Sequence, residues 1–410
     1  MASVAFVERI LISSGNLFLV AGVSTDKAMR IVGQYIIDYF MSNYGYCGIA
    51  KKCRYNNSGA IKIVYKDVEK YILFAGGYNQ NSQDFIQGST FNGVYLTEIN
   101  LLNTDFIQQC LQRIISFDDA FIYATLNPRS PKDPFYTEFL FRWYREQESN
   151  PDKEWLNYNK FYLEDNPILT PEMIEDAKMG YDPESLRYKR DILCQRVDAE
   201  GSIYRLNNDN IINEITLNPK KYIIVADFGE TISATYFGCY TEYYNKDLKQ
   251  YEVHLVKEYH HLNKDNNLAN FKYSDDYCDD LIEFVKDCGD LFNSNPYYLF
   301  YDGTTEIYYK IRKRLDKNNL PISMKTVIKD ENDERISMVQ NALYKRKLRI
   351  YKECSISIQD IRDAVYDSKA YESTGKFKRL ENFNDLGHSD SLDALEYSLS
   401  YYKTDLNLRC

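Results

Sequence analysis

Two short apolar runs that are each followed by an aspartate constrain this chain more than any other feature. Residues 222–226 precede Asp227, and residues 297–301 precede Asp302. Apolar runs of this length, bounded by turn residues, are typical of buried β-strands. If the two strands are parallel neighbours, their ends lie side by side and the two carboxylates can share one metal site.

Two further acids, Asp390 and Asp393, follow His388 in a predicted late helix. Their spacing of three residues puts them on one face of that helix. Carboxylates gathered in this way suit two divalent ions that promote cleavage of a phosphodiester bond. His388 is a candidate accessory residue that orients a ligand or a water molecule. The alternative is that these aspartates only cap turns and helices.

Composition limits the possible classes of protein. The 410 residues are enough for two or three domains, and the net charge of −10 argues against a generic nucleic-acid coating protein. No apolar run reaches the roughly 18 residues of a membrane helix, so no membrane partner is expected. The nine cysteines form no CxxC pair, which predicts reduced thiols in a cytosolic protein. Basic clusters at 310–314, 345–349 and 376–379 are either local positive charge for contact with DNA or solvated helix faces.

The order of predicted elements favours an α/β fold with largely parallel sheets. The first third alternates strands and helices, namely strand 17–21, helix 24–42, strands 61–65 and 71–74 across a polar turn, strand 93–96, helix 105–115 and strand 120–126. We therefore predict a P-loop-ATPase-like sheet domain at 1–143 and a lid or linker at 144–220. Residues 221–410 follow the strand, hairpin, helix and strand order of an RNase H-like nuclease domain.

The turn after the first strand has the layout of a nucleotide-binding P-loop. Gly22 opens the turn, its backbone amides can contact phosphates, and Lys27 can reach the outer ones. Asp26 stands where such a loop has glycine, and Ala28 where it has a magnesium-binding hydroxyl. An ordinary strand-to-helix turn is the alternative.

Polar residues after two later strands complete this candidate nucleotide site. Glu98 follows strand 93–96, and a strand-end acid can polarise the water that attacks ATP. Thr125 and Asn127 follow the next strand, where a polar group can sense the γ-phosphate.

With these motifs in order, the chain resembles the large terminase subunit of tailed phages and prophages, along nearly its whole length. The matching stretches are 21–28 (Walker A loop), 82–88 (ahead of Walker B), 93–100 (Walker B), 125–128 (coupling motif), 165–167, 199–204, and the acids at 227, 302 and 393. The resemblance implies a packaging ATPase joined to an RNase H-like nuclease.

The resemblance also implies roles for individual residues. Lys27 would be the Walker A lysine and Glu98 the catalytic acid of the ATPase, with Thr125 and Asn127 coupling hydrolysis to motion. Asp227, Asp302 and Asp393 would be the catalytic metal ligands of the nuclease, with Asp390 as the alternative to Asp393. The implied cofactors are ATP and Mg²⁺ or Mn²⁺. The implied partners are double-stranded phage DNA, the small terminase subunit, the portal protein and further copies of the chain, in the host cytoplasm.

The sequence departs from the family pattern at three positions of the ATPase motifs. These are Asp26, Ala28 and Thr97, the last standing where Walker B usually has aspartate. We therefore expect weak ATP turnover by the lone chain. The alternatives are a decayed prophage product that acts only as an interaction protein, and an unrelated RNase H-like resolvase or recombinase.

Overall fold

A computed structural model of the chain describes residues 2–56, 58–78, 86–152, 156–229, 233–263, 271–381 and 390–408. The chain divides into two compact units, Met1–Asn159 and Lys160–Cys410. Within the described residues, no helix is both long and apolar enough to cross a membrane.

The first unit is built on a six-stranded sheet with the strand order β2-β3-β4-β1-β5-β6. In the order of the sheet, β4, β1, β5 and β6 pair in parallel with their neighbours. The pairs β2–β3 and β3–β4 are antiparallel. Its strands are β1 Leu17–Gly22, β2 Gly48–Tyr55, β3 Ser58–Tyr65, β4 Val68–Gly76, β5 Gly93–Leu96 and β6 Phe121–Ala124. The central strand β1 is almost wholly buried, as its uninterrupted apolar sequence predicts.

Helices cover both faces of this sheet. The helices of the unit are α1 Ala2–Ile12, α2 Thr25–Ala28, α3 Gln34–Tyr44, α4 Thr104–Gln112 and α5 Phe141–Ser149. A π-helical turn, Met29–Gly33, joins α2 to α3, and a second, Phe135–Leu140, precedes α5. One core cluster contains residues of α1 and α3 with Phe18, and the other contains residues of α4 with Leu19. The alternation of β1 side chains between the two clusters explains why the strand is apolar throughout.

The hairpin between β3 and β4 is tighter than the polar sequence 66–70 predicts. Tyr65 pairs with Val68, so the turn consists of Lys66 and Asp67 alone, both with positive φ. Two successive residues with positive φ match the twist of antiparallel strands. Lys70 lies within β4, and its buried ammonium donates to the carbonyl oxygens of Ser13 and Gly15 at 2.7 and 2.6 Å. Because its buried ammonium has these two hydrogen-bond acceptors, Lys70 can be accommodated within β4 although it is polar.

The second unit contains a seven-stranded sheet with the order β12-β11-β8-β9-β10-β13-β7. Its strands are β7 Ile211–Ile212, β8 Lys221–Asp227, β9 Thr235–Asn245, β10 Gln250–His261, β11 Tyr298–Asp302, β12 Met324–Thr326 and β13 Leu348–Tyr351. Strand β9 runs antiparallel to β8 and β10, while β11 is parallel to β8. This is the predicted RNase H-like order, extended at one edge by β13 and β7.

Helices also cover both faces of the second sheet. They are α6 Pro171–Lys178, α7 Leu186–Asp191, α8 Ser274–Phe292, α9 Thr305–Lys317, α10 Asn332–Tyr344, α11 Ser355–Asp363, α12 Ser368–Thr374 and α13 Asp390–Tyr402. Ile223 and Val225 of β8 belong to the core cluster that contains α10 and α13. Ile224 and Ala226 belong to the cluster that contains α8 and α9. Both faces of β8 are therefore buried, and the strand ends at the polar residue Asp227.

The division between the units lies earlier in the chain than the boundary predicted near residue 220. The segment before β8 places four buried side chains in the core of the second unit, namely Val197, Ala199, Ile203 and Tyr204. The Ile203 backbone amide donates to the Ala364 carbonyl oxygen at 2.9 Å. Residues 160–220 therefore pack as part of the second unit, although their polar composition is typical of a linker.

Candidate metal centre and nucleotide site

The ends of β8 and β11 bring Asp227 and Asp302 side by side. The two residues are partners in the parallel register that also pairs Ala226 with Tyr301. Each carboxylate emerges where its strand leaves the sheet, so neither has to be accommodated within the apolar core. The arrangement is the one that the two apolar runs predict.

Helix α13 adds two more carboxylates to this end of the sheet. One oxygen from each of Asp227, Asp390 and Asp393 lies within 4.8 Å of the others, and Asp390 is buried. Asp390 and Asp393 are three residues apart in the first turn of α13, so both project from the same face. The structure thus places both candidates for the third ligand beside Asp227.

Burial and like charge act together on these acids. Burial raises the pKa of Asp227 well above its usual range, and the charges of Asp393, Asp390 and Asp302 raise it further. Burial also raises the pKa of Asp390 to about 7, although the Ala234 backbone amide donates to its Oδ2 at 2.7 Å and opposes the shift. Carboxylates held in this way bind either protons or an external cation.

The donor set fits a hard divalent cation. All the converging ligand atoms are carboxylate oxygens, which Mg²⁺, Mn²⁺ and Ca²⁺ prefer over nitrogen or sulfur ligands. Among the described residues, no side chain donates a hydrogen bond to Asp227. Its charge is therefore left for a cation to offset.

Two arginines pair with Asp393. Arg379 Nη2 donates to Asp393 Oδ1 at 2.9 Å, and Arg335 Nη1 lies 3.4 Å from the same oxygen. Both guanidiniums also pair with the buried Glu396, one helical turn further along α13. Tyr204 donates to Glu396 Oε1 at 3.0 Å. This buried network fixes the rotamer of Asp393.

The arginines and Glu396 are site residues that the sequence did not reveal. Arg379 belongs to the basic cluster 376–379, which predicts a solvated helix face, yet only one-tenth of its side chain is exposed. Nothing in the local sequence distinguishes it from its exposed neighbour Lys376. Only the three-dimensional pairing with Asp393 and Glu396 separates the two residues.

Asp302 has a different environment from the other three acids. Its Oδ2 accepts a hydrogen bond from the Tyr397 hydroxyl at 3.2 Å and lies 2.7 Å from Lys329 Nζ. Within the described residues it is not a member of the three-carboxylate group. His388 lies outside the described residues.

A separate cavity of about 240 Å³ lies in the first unit at the carboxyl ends of β1, β5 and β6. It brings together the residues of the predicted nucleotide motifs, and its lining is Gly22, Val23, Lys27, Ile31, Thr97, Glu98, Thr125, Leu126 and Asn127. Such a crevice at the ends of parallel strands is where α/β folds bind ligands. The segment 82–88 contributes only its last three residues to the described structure, because 82–85 lie outside it.

Close packing explains the glycine that opens the turn. A Cβ on Gly22 would lie 2.9 Å from Thr97 Cγ2 and 3.4 Å from Ala28 Cβ. The Ser24 hydroxyl caps the following helix by accepting from the Lys27 backbone amide at 3.2 Å. The turn therefore stays close to β5, while the exposed Lys27 side chain lines the cavity.

The three departures from the nucleotide motif differ in their positions. Ala28 is fully buried and packs into the core, whereas Asp26 is exposed. Thr97 lines the cavity, and its backbone amide donates to the Ala21 carbonyl oxygen at 2.9 Å. Only Thr97 of the three therefore lies in the wall of the cavity.

Glu98 is held in an unusual backbone conformation beside the cavity. Its φ and ψ of 52° and 49° lie in the left-handed region, which is uncommon for a residue with a side chain. The next amide, that of Ile99, donates to the Thr125 carbonyl oxygen at 2.9 Å. The Asn100 side chain donates to the Asn127 carbonyl oxygen at 3.0 Å. The segments after β5 and β6 are thus joined directly by two hydrogen bonds.

Fold and motifs together define a P-loop-type α/β unit followed by an RNase H-like unit. The family model "Terminase large subunit, T4likevirus-type, N-terminal" matches residues 5–211. The chain therefore belongs to the terminase large subunit family, whose N-terminal domain is the packaging ATPase of phages. No curated protein sequence matches the chain.

Solved structures of a phage large terminase share the fold. The large terminase from a thermophilic bacteriophage is 23% identical with a TM-score of 0.61, over 98% of this chain and 89% of that chain. The complex of that terminase with ADP has a TM-score of 0.59 at 23% identity, over 98% and 90% of the two chains. Its complex with ATP-gamma-S has a TM-score of 0.57 at 23% identity, over 98% and 89%.

Proposed function

We propose that the second unit is a metal-dependent DNA endonuclease that cuts concatemeric phage DNA, joined in one chain to a packaging ATPase. The observation that supports the nuclease most strongly is the convergence of Asp227, Asp390 and Asp393 within 4.8 Å, beside Asp302. These acids come from two strands and one helix that are distant in sequence. Turn or helix capping, the alternative role, does not require them to meet.

Each acid has a role that follows from its position. Asp227 lies between Asp302 on one side and the acids of α13 on the other, so it would contact both of two Mg²⁺ or Mn²⁺ ions. Asp393, held by its arginines, and Asp390 would complete the first ion position, and Asp302 the second. Ions bound there would lower the pKa of an attacking water and offset negative charge on the phosphate. The protein's own task is to hold the four carboxylates in place.

Nicking of plasmid DNA by the full chain tests this proposal. We expect cleavage with Mg²⁺ or Mn²⁺, none with EDTA, and a loss on the order of 100-fold or more in Asp227→Asn, since the substitution keeps the size but removes the charge that binds the ions. Asp316→Asn is the matched control, because Asp316 is exposed on α9 and, among the residues that the structure describes, its carboxylate forms an ion pair with its helix neighbour Arg312 alone. Equal nicking by wild type and a folded Asp227→Asn variant would refute the proposal.

For the first unit we propose ATP as the ligand of the cavity, with Lys27 contacting phosphate oxygens and Glu98 orienting the attacking water. Thr125 and Asn127 would pass the state of the nucleotide to the rest of the unit through the backbone links described above. The nucleotide complexes of the thermophilic-phage large terminase support a nucleotide as the ligand.

A second candidate for the first unit is nucleotide binding with little or no turnover. It is favoured by Ala28, which is buried and offers no hydroxyl to magnesium, and by Thr97, which offers no carboxylate to it. In its extreme form the chain would act only as an interaction protein. Turnover with and without the other packaging components separates the two candidates.

Membership of the terminase family suggests the partners of this chain. We propose double-stranded phage DNA as the substrate, and the small terminase subunit and the portal protein as partners in the host cytoplasm. Several copies of the chain would act together on the portal. Co-purification of the chain with each of the two proteins tests these assignments.

A further inference from the structure

Within the part of the chain that the structure describes, Asp302, unlike the other acids of the candidate metal centre, is paired with a lysine. Lys329 Nζ lies 2.7 Å from Asp302 Oδ2, and the Tyr397 hydroxyl donates to that same oxygen at 3.2 Å. The ammonium also lies 5.9 Å from the centroid of the Tyr397 ring. Lysine and tyrosine thus converge on the one acid that the three-carboxylate group leaves out.

The backbone that carries Lys329 is fixed on both sides. Before it, the Val327 amide donates to the carbonyl oxygen of Tyr301, the residue that precedes Asp302. After it, Asp330 pairs with Lys403, whose Nζ lies 3.1 Å from both carboxylate oxygens. The Lys329 side chain itself is 59% exposed. A side chain with an anchored base and an exposed head can change partner without any change in the fold.

We propose that Lys329 is the resident cation of the Asp302 side of the nuclease centre, and that a second divalent ion binds only by displacing its ammonium. This inference rests on the proposed nuclease function. It makes the two ion positions unequal. Lys329 forms its ion pair with Asp302 and acts on Asp227 only through its charge. An ion at the group of Asp227, Asp390 and Asp393 therefore meets less competition from this lysine, whereas Asp302 accepts one only after Lys329 has left.

Displacement is feasible because the ammonium carries one charge and remains largely in water. An ion pair with an exposed lysine contributes little, so its competition with a divalent ion amounts to a few-fold in affinity. A divalent ion brings twice the charge and contacts carboxylate oxygens at about 2.0–2.1 Å. Once released, the ammonium is next to the site of cleavage, where the phosphate backbone of DNA offers a new partner.

Titration of the metal-free full chain with Mn²⁺, followed by calorimetry, tests the proposal without measuring cleavage. In Lys329→Met we expect the second ion to bind about two- to five-fold more tightly than in wild type, with the first ion unchanged. Lys329→Arg keeps the positive charge and should retain weak binding of the second ion. A thermal melt without metal checks that each variant is folded.

Lys325→Met is the matched control. It removes the same charge from the neighbouring strand β12, where the Lys325 ammonium lies 3.7 Å from the centroid of the Tyr298 ring. If Lys329→Met binds both ions as wild type does, or no more tightly than Lys325→Met, the displacement proposal is wrong. If the wild type binds no Mn²⁺, or if Asp227→Asn binds Mn²⁺ as well as the wild type does, the proposed nuclease function itself is wrong.

Discussion

Arg379 donates to Asp393 Oδ1 at 2.9 Å and pairs with the buried Glu396 through its other terminal nitrogen. The candidate metal ligand is therefore held by a guanidinium whose second partner is an acid outside the three-carboxylate group. Removal of this guanidinium would leave Arg335 alone to compensate the charges of both Asp393 and Glu396.

We expect Arg379→Met to lower the free energy of unfolding of the second unit by about 3 kcal/mol, because it removes one of the two guanidiniums that compensate the buried Glu396. Urea denaturation monitored by fluorescence measures this change. Arg346→Met is the control: Arg346 is 55% exposed and pairs with Asp209, so its loss should cost less than about 1 kcal/mol. Similar costs in both variants would contradict the structural role of the network.

The raised pKa of Asp390 predicts a dependence of stability on pH. Its pKa is about 7 in the folded protein and 3.8 in the unfolded chain. The folded state therefore binds the proton more tightly, and the resulting stability is fully present below pH 3.8 and is lost as the pH rises through 7. Without divalent ions, wild type should lose about 2 kcal/mol relative to Asp390→Asn between pH 5 and pH 8.

Urea titrations of both proteins at the two pH values, with EDTA present, measure that difference. Asparagine can still accept the hydrogen bond from the Ala234 amide, so the comparison isolates the charge of Asp390. Parallel changes in the two proteins would show that Asp390 does not hold a proton at neutral pH.

The packing of residues 160–220 predicts where the second unit can be cut from the chain. A fragment of residues 160–410 should unfold cooperatively, whereas one of residues 221–410 should not, because it lacks Val197, Ala199, Ile203 and Tyr204 from its core. Val197 and Ile203 alone would each contribute about 1.5–3 kcal/mol on burial. Thermal melts followed by circular dichroism distinguish the fragments. A cooperative melt of residues 221–410 would show instead that the second unit begins near residue 220, as the sequence predicts.

Substitutions at the nucleotide cavity separate binding from hydrolysis. Lys27→Ala should weaken the affinity for an ATP analogue about tenfold or more, since it removes a charged phosphate contact. Lys51→Ala, an exposed lysine of β2, is the control. Glu98→Gln should bind the analogue normally but lose turnover. Binding that Lys27→Ala leaves unchanged would move the nucleotide away from the Gly22 turn.

We also expect weak turnover by the lone chain and a sharp rise when portal protein and DNA are added. In a ring of subunits a neighbour can supply a cation in trans, as arginine fingers do in other nucleotide hydrolases. Steady-state assays with and without these components measure the rise. Fast turnover by the chain alone, abolished in Glu98→Gln, would show that Ala28 and Thr97 do not impair the site.

Local sequence patterns predicted the fold class and the elements that carry the acids. Strand β5 was predicted with its observed bounds, and β8 and β11 within one residue, because apolar runs that end in a polar residue mark buried parallel strands. The short strands β7, β12 and β13 and the charged edge strand β2 were missed, since they lack such runs. The start of β4 was predicted too late because Lys70 is polar. The two carbonyl oxygens that accept its hydrogen bonds, those of Ser13 and Gly15, are distant in sequence.

Charged residues were the hardest to interpret from sequence. Arg379 and Lys376 are three residues apart in one basic cluster, yet one is buried against acids and the other is largely exposed. Lys329 carries no sequence signal beyond its charge. Their roles depend on which acids the fold brings within reach, and that depends on the long-range docking of α13 against β8 and β9.

The Ala234 amide and the Asp390 carboxylate that it contacts are 156 residues apart in the chain. A site assembled from such distant segments depends on the complete fold of the second unit. An incomplete or misfolded chain would contain the individual acids but not their convergence. If the second unit cleaves DNA as proposed, cleavage would therefore begin only once this unit has folded.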